Sequence, residues 1–152
     1  MTKTVATRMQ TISIRVRFWV VGILLAVWPA SATAISILVV GDSLSSAYGM
    51  DTREGWVALL QGRLHIKDYR HRVVSAGIAG DTNAIGRSRL ATEIKRHGPS
   101  IVIIELGSND GLRGLPVSVI RNNLETMTRI TESQDIDVLP LGTSMPPNYG
   151  PA

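Results

Sequence analysis

The sequence contains no cysteine among its 152 residues. Disulfide bonds, thiolate catalysis and metal sites built on cysteine, such as zinc or iron–sulfur centres, are therefore excluded. If the protein is exported, its lack of disulfides is compatible with a bacterial periplasm.

The first 34 residues contain no acidic side chain, although they carry four basic ones. An apolar run of 13 residues, FWVVGILLAVWPA (18–30), follows the basic segment and leads into the small residues SATA. This order is typical of a secretory signal peptide with cleavage after Ala32 or Ala34. An uncleaved membrane anchor is the alternative, but 13 residues make only about 20 Å of helix against a hydrocarbon core of about 30 Å. We therefore predict a signal peptide over 1–34, a single domain over 35–152, periplasmic or secreted localisation and no stable membrane span after cleavage.

The mature chain has no excess charge of either sign. The whole sequence has 16 basic and 12 acidic residues, and removing the four basic residues of the leader leaves 12 of each. The high isoelectric point, about 10.0, therefore belongs largely to the leader. Because no basic face remains, the sequence does not predict a nucleic-acid partner.

Apolar runs alternate with helical patterns along the mature chain. The predicted strands cover 35–40, 69–76, 101–106 and 135–142, with Pro140 near the end or edge of the last. The predicted helices lie near 54–64, from a cap at Asp81 or Thr82 to His97, and from Pro116 onward. Their apolar faces are Trp56, Leu59, Leu60 and Leu64; Ile85, Leu90 and Ile94; and Ile120, Leu124, Met127 and Ile130. This alternation predicts an α/β fold, a three-layer α/β/α sandwich around a parallel sheet.

Three short segments follow the ends of predicted strands: GDSL (41–44), AGIAGDT (76–82) and GSND (107–110). The carboxyl ends of parallel strands meet at one edge of the sheet, so these segments are expected to lie together. Ser43 would present a hydroxyl there, while the N–H groups of Ser43 and Gly80 and the side-chain amide of Asn109 would stabilise a developing oxyanion. All three segments are also ordinary turn or capping sequences, so the residues alone leave both interpretations open.

The three segments, in this order, resemble blocks I, II and III of the SGNH (GDSL) hydrolase family. The wording GDSLSSAYGM, AGIAGDT, ELGSNDGLRGLP and PPNYG is similar to the exported bacterial multifunctional acyl-thioesterase, lysophospholipase and arylesterase branch, and the resemblance covers about residues 35–150. It implies a flavodoxin-like SGNH fold, with Ser43 as nucleophile and Gly80 and Asn109 in the oxyanion hole. It also implies small-molecule acyl ester or thioester substrates and no metal or organic cofactor.

One block of the family pattern is missing. The resemblance calls for an Asp-x-x-His near the carboxyl terminus as general base and orienting residue, and none occurs there: the one Asp-x-x-His of these 152 residues, Asp68 to His71, lies at the start of the second predicted strand. The histidines present, His65, His71 and His97, are expected at the opposite edge of the sheet from Ser43. We therefore expect an incomplete domain that lacks the last strand, helix and catalytic pair, with impaired activity. A complete but non-catalytic acyl-ligand-binding protein is the alternative. A nucleotide-binding domain is disfavoured because the first loop has neither G-x-G-x-x-G nor a P-loop lysine.

Overall fold

The computed structural model describes residues 34–144, which form four strands and four helices. The order is β1 (Ser36–Gly41), α1 (Trp56–Ile66), β2 (Arg72–Gly77), α2 (Asn83–His97), β3 (Ile101–Glu105), α3 (Ser108–Leu112), α4 (Val117–Glu132) and β4 (Asp137–Pro140). The predicted signal peptide, except for Ala34, and the PPNYG segment lie outside the described residues. No helix in the described part of the chain combines the length and apolarity needed to cross a membrane.

All four strands are parallel, in the spatial order β2-β1-β3-β4. Strand β1 is central and pairs with β2 through Ser36 and Arg72, and with β3 through Ile37 and Ile101. The carboxyl ends of β1, β2 and β3 are level, because Gly41 is in register with both Gly77 and Glu105. The three predicted functional segments therefore all leave the same edge of the sheet, which we call the carboxyl edge.

Helices cover both faces of the sheet. Leu38 and Val40 of β1 face one side, where they form a core with residues of β3, α2 and α4. Ile37 and Val39 face the other side and pack against α1. A strand with apolar side chains on both faces is most stable when helices cover both faces, since each fully buried aliphatic side chain contributes about 1.5–3 kcal/mol to the stability of the fold. The predicted three-layer α/β/α arrangement is confirmed.

Local signals set the ends of α2 as predicted. Thr82 accepts a hydrogen bond from the Ile85 N–H at 3.4 Å and caps the helix, whereas Asp81 is engaged elsewhere. Gly98 ends the helix with φ +53°, in the left-handed region that glycine adopts without a Cβ penalty.

Three details differ from the sequence prediction. Leu59 and Ile85, assigned to apolar faces, are 61% and 45% exposed. Each lies in the first turn of its helix, near the carboxyl edge of the sheet. The turn sequence beginning at Asn109 also forms part of a short helix, α3, that the sequence did not predict.

Candidate active site

Ser43 lies just beyond the carboxyl end of β1, in a tightly wound loop. The Ser46 N–H donates to the carbonyl of Asp42 at 3.0 Å, and the Tyr48 N–H donates to the carbonyl of Ser43 at 3.1 Å. The side chain of Ser43 is partly exposed and lines a crevice of about 660 Å³. The loop therefore places Ser43 at the wall of a cavity and outside the core.

Asp42 links the first segment to the third. Its side chain is fully buried, and its Oδ1 accepts the Leu44 N–H at 3.0 Å. Its Oδ2 accepts a hydrogen bond from Nδ2 of Asn109 at 3.1 Å. Asn109 is thus held beside the residue that precedes the predicted nucleophile.

Asn109 also links the third segment to the second. Its Nδ2 donates to the main-chain carbonyl of Asp81 at 2.9 Å, in addition to its bond to Asp42. A primary amide has two N–H donors, so both are engaged in this structure. Donation to an oxyanion would require this amide to share or release one of these acceptors.

Gly80 precedes α2 in a turn closed by the Asp81 N–H and the carbonyl of Ile78, 3.1 Å apart. Its φ is +85°, which disfavours any side chain, although no heavy atom lies within 4 Å of the position a Cβ would take. The carbonyl of Gly80 accepts from Nη2 of Arg113 at 3.2 Å. Conformation and open space together make this backbone accessible to a bound molecule.

Buried ionic contacts hold the three segments together. Arg89 donates from Nε to Oδ2 of Asp81 at 2.8 Å and from Nη2 to the carbonyl of Gly41 at 3.2 Å. Asp110, fully buried, accepts the Asn83 N–H at 2.8 Å through Oδ2. The second segment is therefore anchored to both of its neighbours.

Sequence reasoning assigned no role in the site to Arg89, Asp81 or Asp110, although Asp81 was a candidate cap of α2. Asp81 and Asp110 each directly follow a predicted oxyanion residue, and this adjacency is the only sequence signal for a role in the site. Arg89 has no such signal, because it lies eight residues beyond Asp81 along α2.

The crevice beside Ser43 is lined mainly by apolar side chains. Its walls are Ser43, Leu44, Tyr48, Met50, Glu54, Gly55, Trp56, Leu59, Glu105, Leu141, Gly142, Thr143 and Ser144. Several of the large side chains are exposed, including Tyr48 at 74%. The sequence also gave no role to Glu105, which is 6% exposed and whose pKa is raised above its usual value of 4.5, mainly by burial.

The three histidines lie far from this edge, as the sequence predicts. His71 directly precedes β2, and His97 ends α2 ahead of β3, where it contacts Glu93. His65 lies near the end of α1, on the approach to β2. All three are therefore at the amino-terminal edge of a parallel sheet. Within residues 34–144 no group of three or more potential ligands could hold a metal ion.

The chain is similar in sequence to known proteins. The chain matches the GDSL-like Lipase/Acylhydrolase family over residues 39–152. It is 50% identical over 120 residues to Esterase TesA of Pseudomonas aeruginosa, which covers 79% of this chain and 60% of that protein. It is 37% identical over 120 residues to Thioesterase 1/protease 1/lysophospholipase L1 of Escherichia coli strain K12, covering 79% of this chain and 56% of that protein.

Solved structures agree with these relationships. The crystal structure of TesA matches with a TM-score of 0.74 at 50% identity, covering 76% of this chain and 64% of that one. AlinE4, an SGNH-hydrolase family esterase, matches with a TM-score of 0.74 at 36% identity, covering 78% and 64%. The chain spans about 60% of the length of the curated relatives. On this evidence the chain belongs to the GDSL-like lipase/acylhydrolase family.

Proposed function

We propose that this chain carries the nucleophile and oxyanion-hole part of a serine hydrolase that cleaves carboxylic ester or thioester bonds in small acyl compounds. One observation supports the proposal most directly. Asn109 Nδ2 bonds both to Asp42, which adjoins Ser43, and to Asp81, which adjoins Gly80. These bonds link the three segments that carry the predicted residues at the carboxyl edge, where ligands bind in sheets of this type.

In this reaction the Oγ of Ser43 attacks the carbonyl carbon of the substrate, and its proton passes to a base. The N–H groups of Ser43 and Gly80, together with the amide of Asn109, donate to the resulting oxyanion. Collapse of the intermediate expels the alcohol or thiol and leaves an acyl-serine, which water then hydrolyses. The apolar walls of the crevice suit an acyl chain, and the relatives named esterase, thioesterase and lysophospholipase support the same substrate class.

The base is the missing element of this proposal. All three histidines lie at the other edge, and they include His71 of the one Asp-x-x-His in the sequence, Asp68 to His71, which directly precedes β2. Without a base a serine hydroxyl is a weak nucleophile near neutral pH. We therefore expect acylation to be slow, and free imidazole, which can serve as an external base, to accelerate it.

The test uses p-nitrophenyl butyrate with the purified chain, with and without imidazole. We expect imidazole-dependent release of p-nitrophenolate above the rate with imidazole alone, which cleaves this ester by itself, and an acyl adduct on Ser43 by mass spectrometry. Both should disappear in Ser43→Ala and persist in Ser144→Ala, which removes another hydroxyl from the same crevice. Equal release by Ser43→Ala and the unaltered chain would refute the proposal.

A second candidate is a non-catalytic protein that binds acyl ligands in the same crevice. Two observations favour it: the histidines are remote from Ser43, and both N–H donors of the Asn109 amide are already engaged. Calorimetric titration with decanoate separates the candidates. Binding that Ser43→Ala leaves intact, with no adduct on Ser43 of the unaltered chain, would favour the binder.

We also propose export through the predicted signal peptide. A bacterium expressing the full chain should yield a mature product that begins at Thr33 or Ile35. Amino-terminal sequencing of the periplasmic and secreted fractions checks this. A product that keeps residues 1–32 would contradict it.

A further inference from the structure

Ser45 is fixed near the carboxyl ends of three neighbouring strands. It is 3% exposed, and its Oγ donates to Oε2 of Glu105, the last residue of β3, at 2.8 Å. Its carbonyl accepts from the hydroxyl of Ser75, on β2, at 2.8 Å. The loop that carries the predicted nucleophile is thus bonded to strands other than the one it follows.

Two glycines create the space for this attachment. A Cβ added at Gly41, the last residue of β1, would lie 2.2 Å from Oγ of Ser45. A Cβ added at Gly77, the last residue of β2, would lie 2.5 Å from the nitrogen of Ser46 and 2.6 Å from the carbonyl carbon of Ser45. Neither contact is possible for a real Cβ, so both strands end in the one residue type that lets the loop approach this closely.

The position of Ser45 is transmitted to Ser43 within a single turn. The Ser46 N–H bonds to the carbonyl of Asp42, the Tyr48 N–H to the carbonyl of Ser43, and the Ser46 hydroxyl to that same carbonyl at 3.2 Å. These bonds enclose Ser45 between the two ends of the turn. Moving Ser45 would therefore move the backbone that holds the Ser43 hydroxyl.

We propose that Ser45 and Glu105 are positioning residues for Ser43: their side-chain bond fixes the turn that aims the nucleophile into the crevice. This inference rests on the proposed function in assigning Ser43 as nucleophile. Glu105 has a second carboxyl oxygen, Oε1, that is buried without a polar partner in the described part of the chain. Burying a carboxyl group that has one oxygen without a polar partner costs free energy, and a leucine of similar size would fill the space at a lower free-energy cost. The bond to Ser45 gives the carboxyl a role that an apolar side chain could not perform.

The experiment measures amide hydrogen exchange by NMR in the full-length chain. In Ser45→Ala we expect the Ser46 and Tyr48 amides to exchange about tenfold faster, as for loss of one hydrogen bond to a carboxyl group. The Val39 and Ile103 amides, in the centres of β1 and β3, should be unchanged. The matched control removes an exposed hydroxyl from α2 in Ser88→Ala and should leave the loop unaffected.

Variants of Glu105 test the pair without altering the loop sequence. Glu105→Leu should accelerate the same amides about tenfold, whereas Glu105→Gln, which keeps an acceptor oxygen, should restore nearly normal exchange. The double variant Ser45→Ala/Glu105→Leu should again show about tenfold and not a hundredfold, because both changes remove one shared bond. Unchanged loop exchange in Ser45→Ala and Glu105→Leu, or additive effects in the double variant, would overturn the proposal.

A second measurement separates this proposal from the proposed function. A fluorophosphonate labels an activated serine when the serine Oγ forms a bond to phosphorus, fluoride leaves and the hydroxyl proton passes to solvent or added imidazole. We expect labelling of Ser43 to slow in Ser45→Ala and Glu105→Leu, but not in Ser88→Ala or Glu105→Gln. If the unaltered chain takes up no label while the exchange results hold, Ser45 and Glu105 still position the turn and only the acylation chemistry fails.

Discussion

Replacing Asp42 by asparagine tests whether a buried carboxylate organises the candidate active site. In the native chain both oxygens of Asp42 accept hydrogen bonds, from the Leu44 N–H at 3.0 Å and from Asn109 Nδ2 at 3.1 Å. The side chain is fully buried, so water cannot replace either partner. An asparagine has one acceptor oxygen, and in either orientation its NH₂ group faces one of these two donors.

The expected cost follows from this mismatch. A hydrogen bond to a charged group contributes about 1.5–3 kcal/mol, and a buried donor left without an acceptor costs about 1–3 kcal/mol. Neutralising the buried carboxylate at position 42 recovers part of its desolvation cost, which leaves a net loss of about 2–4 kcal/mol in the free energy of unfolding.

Urea unfolding of the full-length chain, followed by far-ultraviolet circular dichroism, measures this loss. The matched control is Asp68→Asn, at an exposed position with φ +59°, where asparagine is well tolerated. We expect the control to remain within about 0.5 kcal/mol of the unaltered chain. If Asp42→Asn were equally neutral, the carboxylate would not organise the site as argued.

Two further predictions concern other buried charges. Because burial raises the pKa of Glu105 above 4.5, the folded chain binds this proton more tightly than the unfolded chain, so the free energy of unfolding should fall as pH rises from 4.5 through the folded-state pKa. Glu105→Gln should remove this part of the pH dependence in urea titrations between pH 4 and about 8, and curves that stay parallel to the unaltered chain would contradict it. Arg89→Ala should lower the free energy of unfolding by about 3–5 kcal/mol because it leaves the carboxylate of Asp81 buried and unpaired. Arg53→Ala, whose partner Asp51 is exposed, should cost far less than Arg89→Ala, and similar losses in the two alanine variants would refute this reasoning.

The strands could be predicted because burial on both faces leaves a distinctive sequence. The run 35–40 is apolar at every position but Ser36, and its residues 37–40 are buried because they lie on a strand between two helix layers. Helix α2 was equally predictable from the sequence, since Thr82 and Gly98 supply caps whose chemistry is local. These signals act over a few residues, so no knowledge of tertiary contacts was needed.

The exposed ends of the helices could not be predicted in this way. Helical spacing places Leu59 and Ile85 on apolar faces, but spacing cannot show where the sheet beneath a helix ends. Both residues lie in the first turn of their helices, near the carboxyl edge, and are exposed there. Leu59 consequently lines the crevice beside Ser43, so an apparent core residue is part of the candidate site.

The supporting residues of the site were also hidden from sequence reasoning. Asp42, Asp81 and Asp110 occur in turn sequences where aspartate is common, and a solvated turn residue has the same sequence signature as a buried anchor. Their roles depend on partners 8 to 67 residues away along the chain, such as Arg89 for Asp81 and Asn109 for Asp42. Only the folded sheet brings those partners together.

The proposed chemistry needs two parts: the donor side, which is Ser43 with the oxyanion donors, and a general base that accepts the serine proton. These two parts have different physical requirements. The donor side depends on loops after β1, β2 and β3, and its supporting contacts run between segments that all leave the carboxyl edge. Ser43, Gly80 and Asn109 are held by these contacts without help from β4. A base must reach the same edge from elsewhere, because the histidines are fixed by α1, α2 and the start of β2 at the amino-terminal edge. A histidine supplied at the carboxyl edge would thus act on the proposed nucleophile and oxyanion donors, whose segments are already linked by the contacts of Asn109 and Arg89.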